Sequence, residues 1–314
     1  MMIMRAPSLH PCHFMRHSRR LICLLILVAA TAVSGCQKVR DALTPTSPSP
    51  SGVGPPAPNA LIHYTAIGAS DALGVGSSVP CQPFSTCANG TGYVHLLTRD
   101  LRIQHEVNLI NLGIPASVLS PTIQDIARSR GNNVPGNYID HELTFLAPAS
   151  TLVTVFGGVN DVNALGQAIL QGAAGSTDLK PYIDTQIRAF GADFDRLIRG
   201  IKSRAPGAYI IVINVPNLAG LPYSVRYTQQ ERQALQYVAV GFSREANRQA
   251  GSGVVVLDLM CDASAYDPAL IASDGYHPND GGYAYLARRL LPMVNGVSSP
   301  PSSSCSQMTL LPPL

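Results

Sequence analysis

Acyl chemistry on a protein needs a nucleophile, a base to take its proton, and donors for the oxyanion that develops on the substrate. Residues of these types fall at four matching breaks in this sequence. Ser70 lies in "YTAIGASDALGVG", where an apolar, β-branched run gives way to small residues. Gly113 lies in "NLGIPAS", and its backbone N–H has no side chain to block a substrate oxygen. Asn160, in "FGGVNDV", offers a carboxamide N–H, and the Ser70 N–H completes a set of three donors. Asp274 and His277 stand three residues apart in "SDGYHPND". On a turn before a helix, that spacing lets the carboxylate fold back onto the imidazole, hold its tautomer and stabilise its cation. The chemistry indicated is ester hydrolysis through a Ser70–His277–Asp274 triad, with an oxyanion hole from Ser70, Gly113 and Asn160.

Taken singly, each residue has a plainer reading. Ser70-Asp71 and Asp274-Gly275 are good turn pairs, Gly113 is a turn glycine, and Asn160-Asp161 suits a helix cap. His277 before Pro278 reads as a solvated loop histidine, and His63, His95, His105 and His141 lack any partner pattern. The argument for a set rests on where each residue stands relative to the strands.

Five runs, "IHYTAIG", "EVNLIN", "TLVTVFG", "AYIIVINV" and "GVVVLDL", are apolar and β-branched. Four have almost no charge in their cores, as strands buried on both faces require. Between them, "YIDTQIRAFGADFDRLIRGIKSR" repeats apolar residues at helical spacing and ends before Pro206-Gly207. "TQQERQALQYVAVGFSREANRQAG" opens with a Thr228–Glu231 capping box and closes at Gly251, and a last helix spans about Asp280 to Val294. Alternating strands and helices imply an α/β fold: a three-layer α/β/α sandwich around a mostly five-stranded parallel sheet. Ligands of such sheets bind beyond the carboxyl ends of the strands. Ser70, Gly113, Asn160 and the Asp274–His277 pair all follow strands, so they share that edge.

Ser70, Gly113, Asn160 and His277, in that order and at those strand ends, resemble the SGNH hydrolases, the GDSL-like lipases and esterases. "GGVND" and "SDGYHPND" are similar to the family's G-x-N-D and D-x-x-H blocks. The resemblance runs across the whole block 61–296. It implies a flavodoxin-like sandwich and carboxylic-ester hydrolysis with no metal or organic cofactor. One block departs: the family's Gly-Asp-Ser is here Gly68-Ala69-Ser70-Asp71, with the aspartate after the serine. That departure motivates an alternative, an envelope protein of the same fold that binds a glycan or lipid with little or no turnover. An α/β-hydrolase fold is a further alternative, because "GASDA" is one residue from G-x-S-x-G. That fold, however, separates its acid from its histidine.

The remaining sequence concerns placement in the cell. A basic segment, "MRHSRR", precedes the apolar "LICLLILVAATAV" and then "SGC" at Cys36, the form of a secretory signal over 1–35. "VSGC" resembles the lipobox of bacterial lipoproteins, which implies lipid on Cys36 and a membrane anchor in the cell envelope. Gln37 after it favours the outer membrane. Residues 36–60 are rich in Pro, Ser and Gly and read as a tether reaching at most about 75 Å. Residues 297–314 form a similar low-complexity tail, expected to touch the domain only near Cys305. The chain's formal charge is +3, and removing Arg5, Arg16, Arg19 and Arg20 with the signal leaves 3 − 4 = −1. With no basic stripe, nucleic acid is excluded as a partner, and a monomer acting on acyl esters is expected. Apart from Cys36, the mature cysteines are Cys81, Cys87, Cys261 and Cys305. Four allow three pairings, of which proximity favours Cys81–Cys87 and Cys261–Cys305. No CxxC or HExxH occurs, which argues against zinc. For the substrate, the apolar loop "PNLAGLPYSVRY" leans towards an acyl chain over an acetylated polysaccharide.

Overall fold

The computed structural model describes residues 53–85 and 87–314. The signal, Cys36 and most of the expected tether lie outside the described residues. Five strands are present: β1 (Ile62–Ile67), β2 (Val107–Asn111), β3 (Leu152–Phe156), β4 (Tyr209–Ile213) and β5 (Val254–Leu257). All pair in parallel, in the order β2-β1-β3-β4-β5. β3 and β4 are buried at every residue, matching their charge-free sequences, whereas β2 at the edge exposes Asn108 and Ile110.

The chain therefore enters at β1, steps to one edge, then crosses back over β1 and walks to the other edge. Right-handed crossovers taken in opposite directions put their helices on opposite faces of the sheet. Helices α2 (Tyr93–Leu101) and α7 (Asp280–Val294) pack together. Helices α3 (Pro121–Ser129), α4 (Val159–Leu170), α5 (Leu179–Arg204) and α6 (Gln229–Asn247) pack on one another as the second layer. The α6 capping box is formed in full, with Thr228 Oγ1 accepting from Glu231 N–H and Glu231 accepting from Thr228 N–H. Reversal of strand order occurs between β1 and β3, and their register, Tyr64 opposite Leu152 and Ile67 opposite Val155, brings their carboxyl ends level. Such a switch point opens a crevice for ligands.

Between β2 and β3 stands α3, begun by Ser120, whose side chain accepts from Ile123 N–H, and by Pro121 in the first turn. Two expectations are corrected. Part of the expected tether lies on the domain: Val53 fills the space left by Gly253, Pro55 that left by Gly296, and His105 Nδ1 bonds to the Ala60 carbonyl at 3.1 Å. The C-terminal tail also packs well beyond Cys305. Met308 is buried, Leu311 exchanges two hydrogen bonds with the Gln236 carboxamide (3.0 and 2.9 Å), and Gln307 accepts from Asn217 Nδ2 at 2.7 Å. Disulfides join Cys81 to Cys87 and Cys261 to Cys305, the pairing that proximity favoured.

Candidate active site

Ser70 starts a single helical turn, α1 (Ser70–Leu73), directly after β1. Gly74, at φ 76°, ends that turn. The serine is nearly buried, and its hydroxyl lies 2.9 Å from His277 Nε2. On the other side of the ring, His277 Nδ1 is 2.6 Å from Asp274 Oδ2. The second oxygen of Asp274 accepts the N–H groups of Tyr276 (2.8 Å) and His277 (3.0 Å), which folds the carboxylate back over its own turn. Partial burial pushes the Asp274 carboxyl up. The hydrogen bonds from the His277 ring and the two amides outweigh it, so the group lies below the usual carboxylate range and stays ionised. An ionised Asp274 takes the Nδ1 proton as its hydrogen bond, which leaves Nε2 to accept from the Ser70 hydroxyl.

Asn160 stands in the first turn of α4, whose N-cap is Gly158. No side chain caps that helix, so the capping role open to Asn160 in the sequence is not the one it plays. Gly158 has φ 104°, and a Cβ there would meet Val215 Cγ2 at 2.5 Å, so only glycine makes this strand-to-helix corner. Asn160 Nδ2 donates to the Ser117 carbonyl at 2.9 Å. Its Oδ1 accepts from the Tyr276 hydroxyl at 3.2 Å. Burial holds Tyr276 far above its ordinary value, so it remains a donor. Asp161 beside it accepts from the Leu119 and Ser120 amides (2.8 and 2.9 Å), tying the segment after β2 to α4. Burial pushes Asp161 up to about 7, against the pull of those two amides.

Gly113 is the expected site residue that the geometry leaves out. Its N–H donates to Asn111 Oδ1 at 3.0 Å in a buried position, and Asn111 is itself fixed by donating to the Ala72 carbonyl at 2.7 Å. Glycine is required there for a different reason. An added Cβ would lie 2.9 Å from the Ala69 carbonyl and 3.0 Å from Ala72 Cβ, against the turn that carries Ser70. The free amide of this loop is that of Ala116, three residues on. Ala116 has φ 62° and follows Pro115 in a turn closed by Ser117 N–H on the Ile114 carbonyl (3.1 Å). Its N–H makes no hydrogen bond among the described residues, and it lines one groove together with Asn160. Pro115 was the available signal, since Pro at the second position of a turn with positive φ at the third marks type II. An alanine in the glycine position hid it.

Other residues near the site have less direct placement. Asp71 is nearly buried. Burial raises it, partly offset by nearby His277. It faces an apolar cavity of about 60 Å³ between Phe156, Val159, Leu221 and Tyr276, which neither Ser70 nor His277 lines. The loop expected to receive an acyl chain is instead part of the core: Leu218, Ala219, Leu221 and Tyr223 are buried, and only Val225 among its large apolar residues projects into solvent. Among the described residues, the one grouping of metal-type side chains is Cys81, Cys87 and His95. Its two sulfurs are spent in the disulfide, so it is no metal site.

The profile of the GDSL-like lipase/acylhydrolase family matches residues 66–285, which run from β1 into α7. No curated protein sequence matches the chain. Among solved structures, the chain is similar to the lipase Lip_vut3 from a goat-rumen metagenome, at 18% identity and TM-score 0.48, over 73% of this chain and 95% of that one. It is similar to an extracellular lipase from Streptomyces rimosus (18%, TM-score 0.46, 76% and 100%). A phospholipase A1 from Streptomyces albidoflavus is comparable (18%, TM-score 0.45, 74% and 98%).

Proposed function

Because this chain belongs to the GDSL-like lipase/acylhydrolase family and is thus a hydrolase of ester bonds, we propose that Ser70 is its nucleophile, His277 its general base and Asp274 the group that orients His277. In this reading the Ser70 hydroxyl oxygen attacks the ester carbonyl carbon while its proton passes to His277 Nε2. The tetrahedral intermediate collapses by returning that proton to the alcohol oxygen, which leaves as the free alcohol. Water then repeats the sequence on the acyl-serine, and the products are a carboxylic acid and regenerated Ser70. Asp274 stays ionised throughout and stabilises the imidazolium. The oxyanion donors are the Ser70 N–H, the Asn160 carboxamide and, in place of Gly113, the N–H of Ala116. Tyr276 is a positioning residue: it holds Asn160 by its oxygen and thereby points the amide nitrogen.

The observation that carries this reading is the continuous contact from Ser70 Oγ through His277 to Asp274, at 2.9 and 2.6 Å. A glycan- or lipid-binding protein without turnover has no use for a serine held against a histidine in its basic tautomer. The test is labelling with a fluorophosphonate. Reaction is expected at Ser70 alone, strongly reduced in His277→Ala. Labelling at a different serine, or none in folded protein, would overturn the assignment.

A further inference from the structure

Beside the catalytic edge lies a groove of about 200 Å³ in which every polar side chain is a carboxamide. Ala116 and Asn160 are among its lining residues, so it adjoins the oxyanion donors proposed above. Asn132, Asn133, Asn163 and Gln167 line the rest, with the small apolar Val118, Val134 and Ala164 between them, and no charged residue is present. Asn132 is set in place by a reciprocal pair of hydrogen bonds with Gln171 (2.8 and 3.1 Å), and Gln167 Nε2 donates to the Tyr227 hydroxyl at 2.8 Å. These bonds leave Gln167 Oε1 as an acceptor. The Asn133 and Asn163 carboxamides have no hydrogen-bond partner among the described residues.

A carboxamide presents donors and an acceptor on one planar group, which suits a hydroxyl that both donates and accepts. Several carboxamides without any charge match a neutral polyol. They give nothing to neutralise a phosphate or a quaternary ammonium, and an alkyl chain laid over them would leave the Asn133 and Asn163 carboxamides without partners. Pro216 and Leu221 of the loop 216–227 line the separate apolar cavity beside Asp71, and no residue of that loop lines this groove. We infer that this groove is the subsite for the alcohol part of the substrate and that this alcohol is a neutral sugar, so that the enzyme removes acyl groups from uncharged glycans. The inference rests on the esterase reading and adds the substrate class to it.

The experiment compares kcat/KM for an acetylated neutral xylo-oligosaccharide with that for p-nitrophenyl acetate, which has no sugar to bind. The full-length enzyme should turn over both. In the Asn133→Leu/Asn163→Leu variant, the ratio of sugar-ester to p-nitrophenyl acetate kcat/KM should fall at least tenfold. Independently of any variant, the deacetylated oligosaccharide should inhibit p-nitrophenyl acetate hydrolysis competitively, raising KM at constant kcat. Turnover of p-nitrophenyl acetate with neither sugar-ester hydrolysis nor competitive inhibition by the sugar would overturn the subsite while leaving the esterase intact. An unchanged ratio in the folded variant would do the same. Loss of p-nitrophenyl acetate turnover by folded wild-type protein would instead overturn the esterase reading itself.

Discussion

Removing the Tyr276 hydroxyl, by Tyr276→Phe, tests how the two halves of the site are joined. Tyr276 comes from the loop that carries His277, and Asn160 from the start of α4. The 3.2 Å bond between them is long beside the roughly 2.7–2.8 Å usual for O–H···O, so its net worth is about 1 kcal/mol. Asn160 keeps its bond to Ser117 in the variant, and the carboxamide loosens rather than leaves. If the whole of that 1 kcal/mol acts in the transition state, kcat falls about fivefold and KM changes little. Asn160→Ala removes the donor itself and should lower kcat by about 10²–10³. The assay is a double-mutant cycle on p-nitrophenyl acetate with midpoints measured alongside. In the Asn160→Ala background, Tyr276→Phe should cost less than about twofold. A fivefold loss that persists there would show that Tyr276 does not work through Asn160, and the positioning argument would fail.

Three further outcomes are expected. Burial pushes Glu142 from 4.5 up to about 7, so between those values the folded protein holds a proton that the unfolded chain has released. Stability with respect to this group is full below about pH 4.5 and is lost as pH rises to about 7, by roughly 3 kcal/mol. Ser117 Oγ lies 2.7 Å from Glu142 and 2.9 Å from the Ile114 carbonyl. A single hydroxyl hydrogen cannot serve both, and a protonated Glu142 can donate to Ser117. Glu142→Gln should therefore flatten the fall in chemical-denaturation stability across this range, and an unaltered slope would refute the assignment. Replacing Cys261 and Cys305 by serine opens a 44-residue separation and should cost about 2–4 kcal/mol, while protease susceptibility rises first at the tail over Gln236. Intact protection of the tail would show that its hydrogen bonds suffice alone. Finally, we propose a lipid anchor at Cys36 in a bacterial envelope, so Cys36→Ala should leave the membrane fraction. Unchanged membrane association and acylation would refute it.

Sequence alone determined those features whose causes are local. Runs of Ile and Val without charge must be buried on both faces, which made the central strands readable. Thr228 and Glu231 announced α6 because a capping box closes within one turn. Asp274 and His277 could be joined on paper because three residues of turn are enough to bring carboxylate to ring. Tertiary structure decided everything that depends on which strand lies beside which. Ser70 and His277 meet across 207 positions, and Tyr276 reaches Asn160 across 116. Those contacts exist because strand order reverses between β1 and β3 and level register brings the ends together. Gly113 and Ala116 could not be ranked from their types. Gly113 is spent on Asn111 and on close packing against Ala72, whereas Pro115 flips the Ala116 amide out of such bonding. Hydropathy marked the loop 216–227, but not its neighbours. An apolar side chain gains the same free energy whether protein or ligand covers it, so its partner is legible only once the chain has folded.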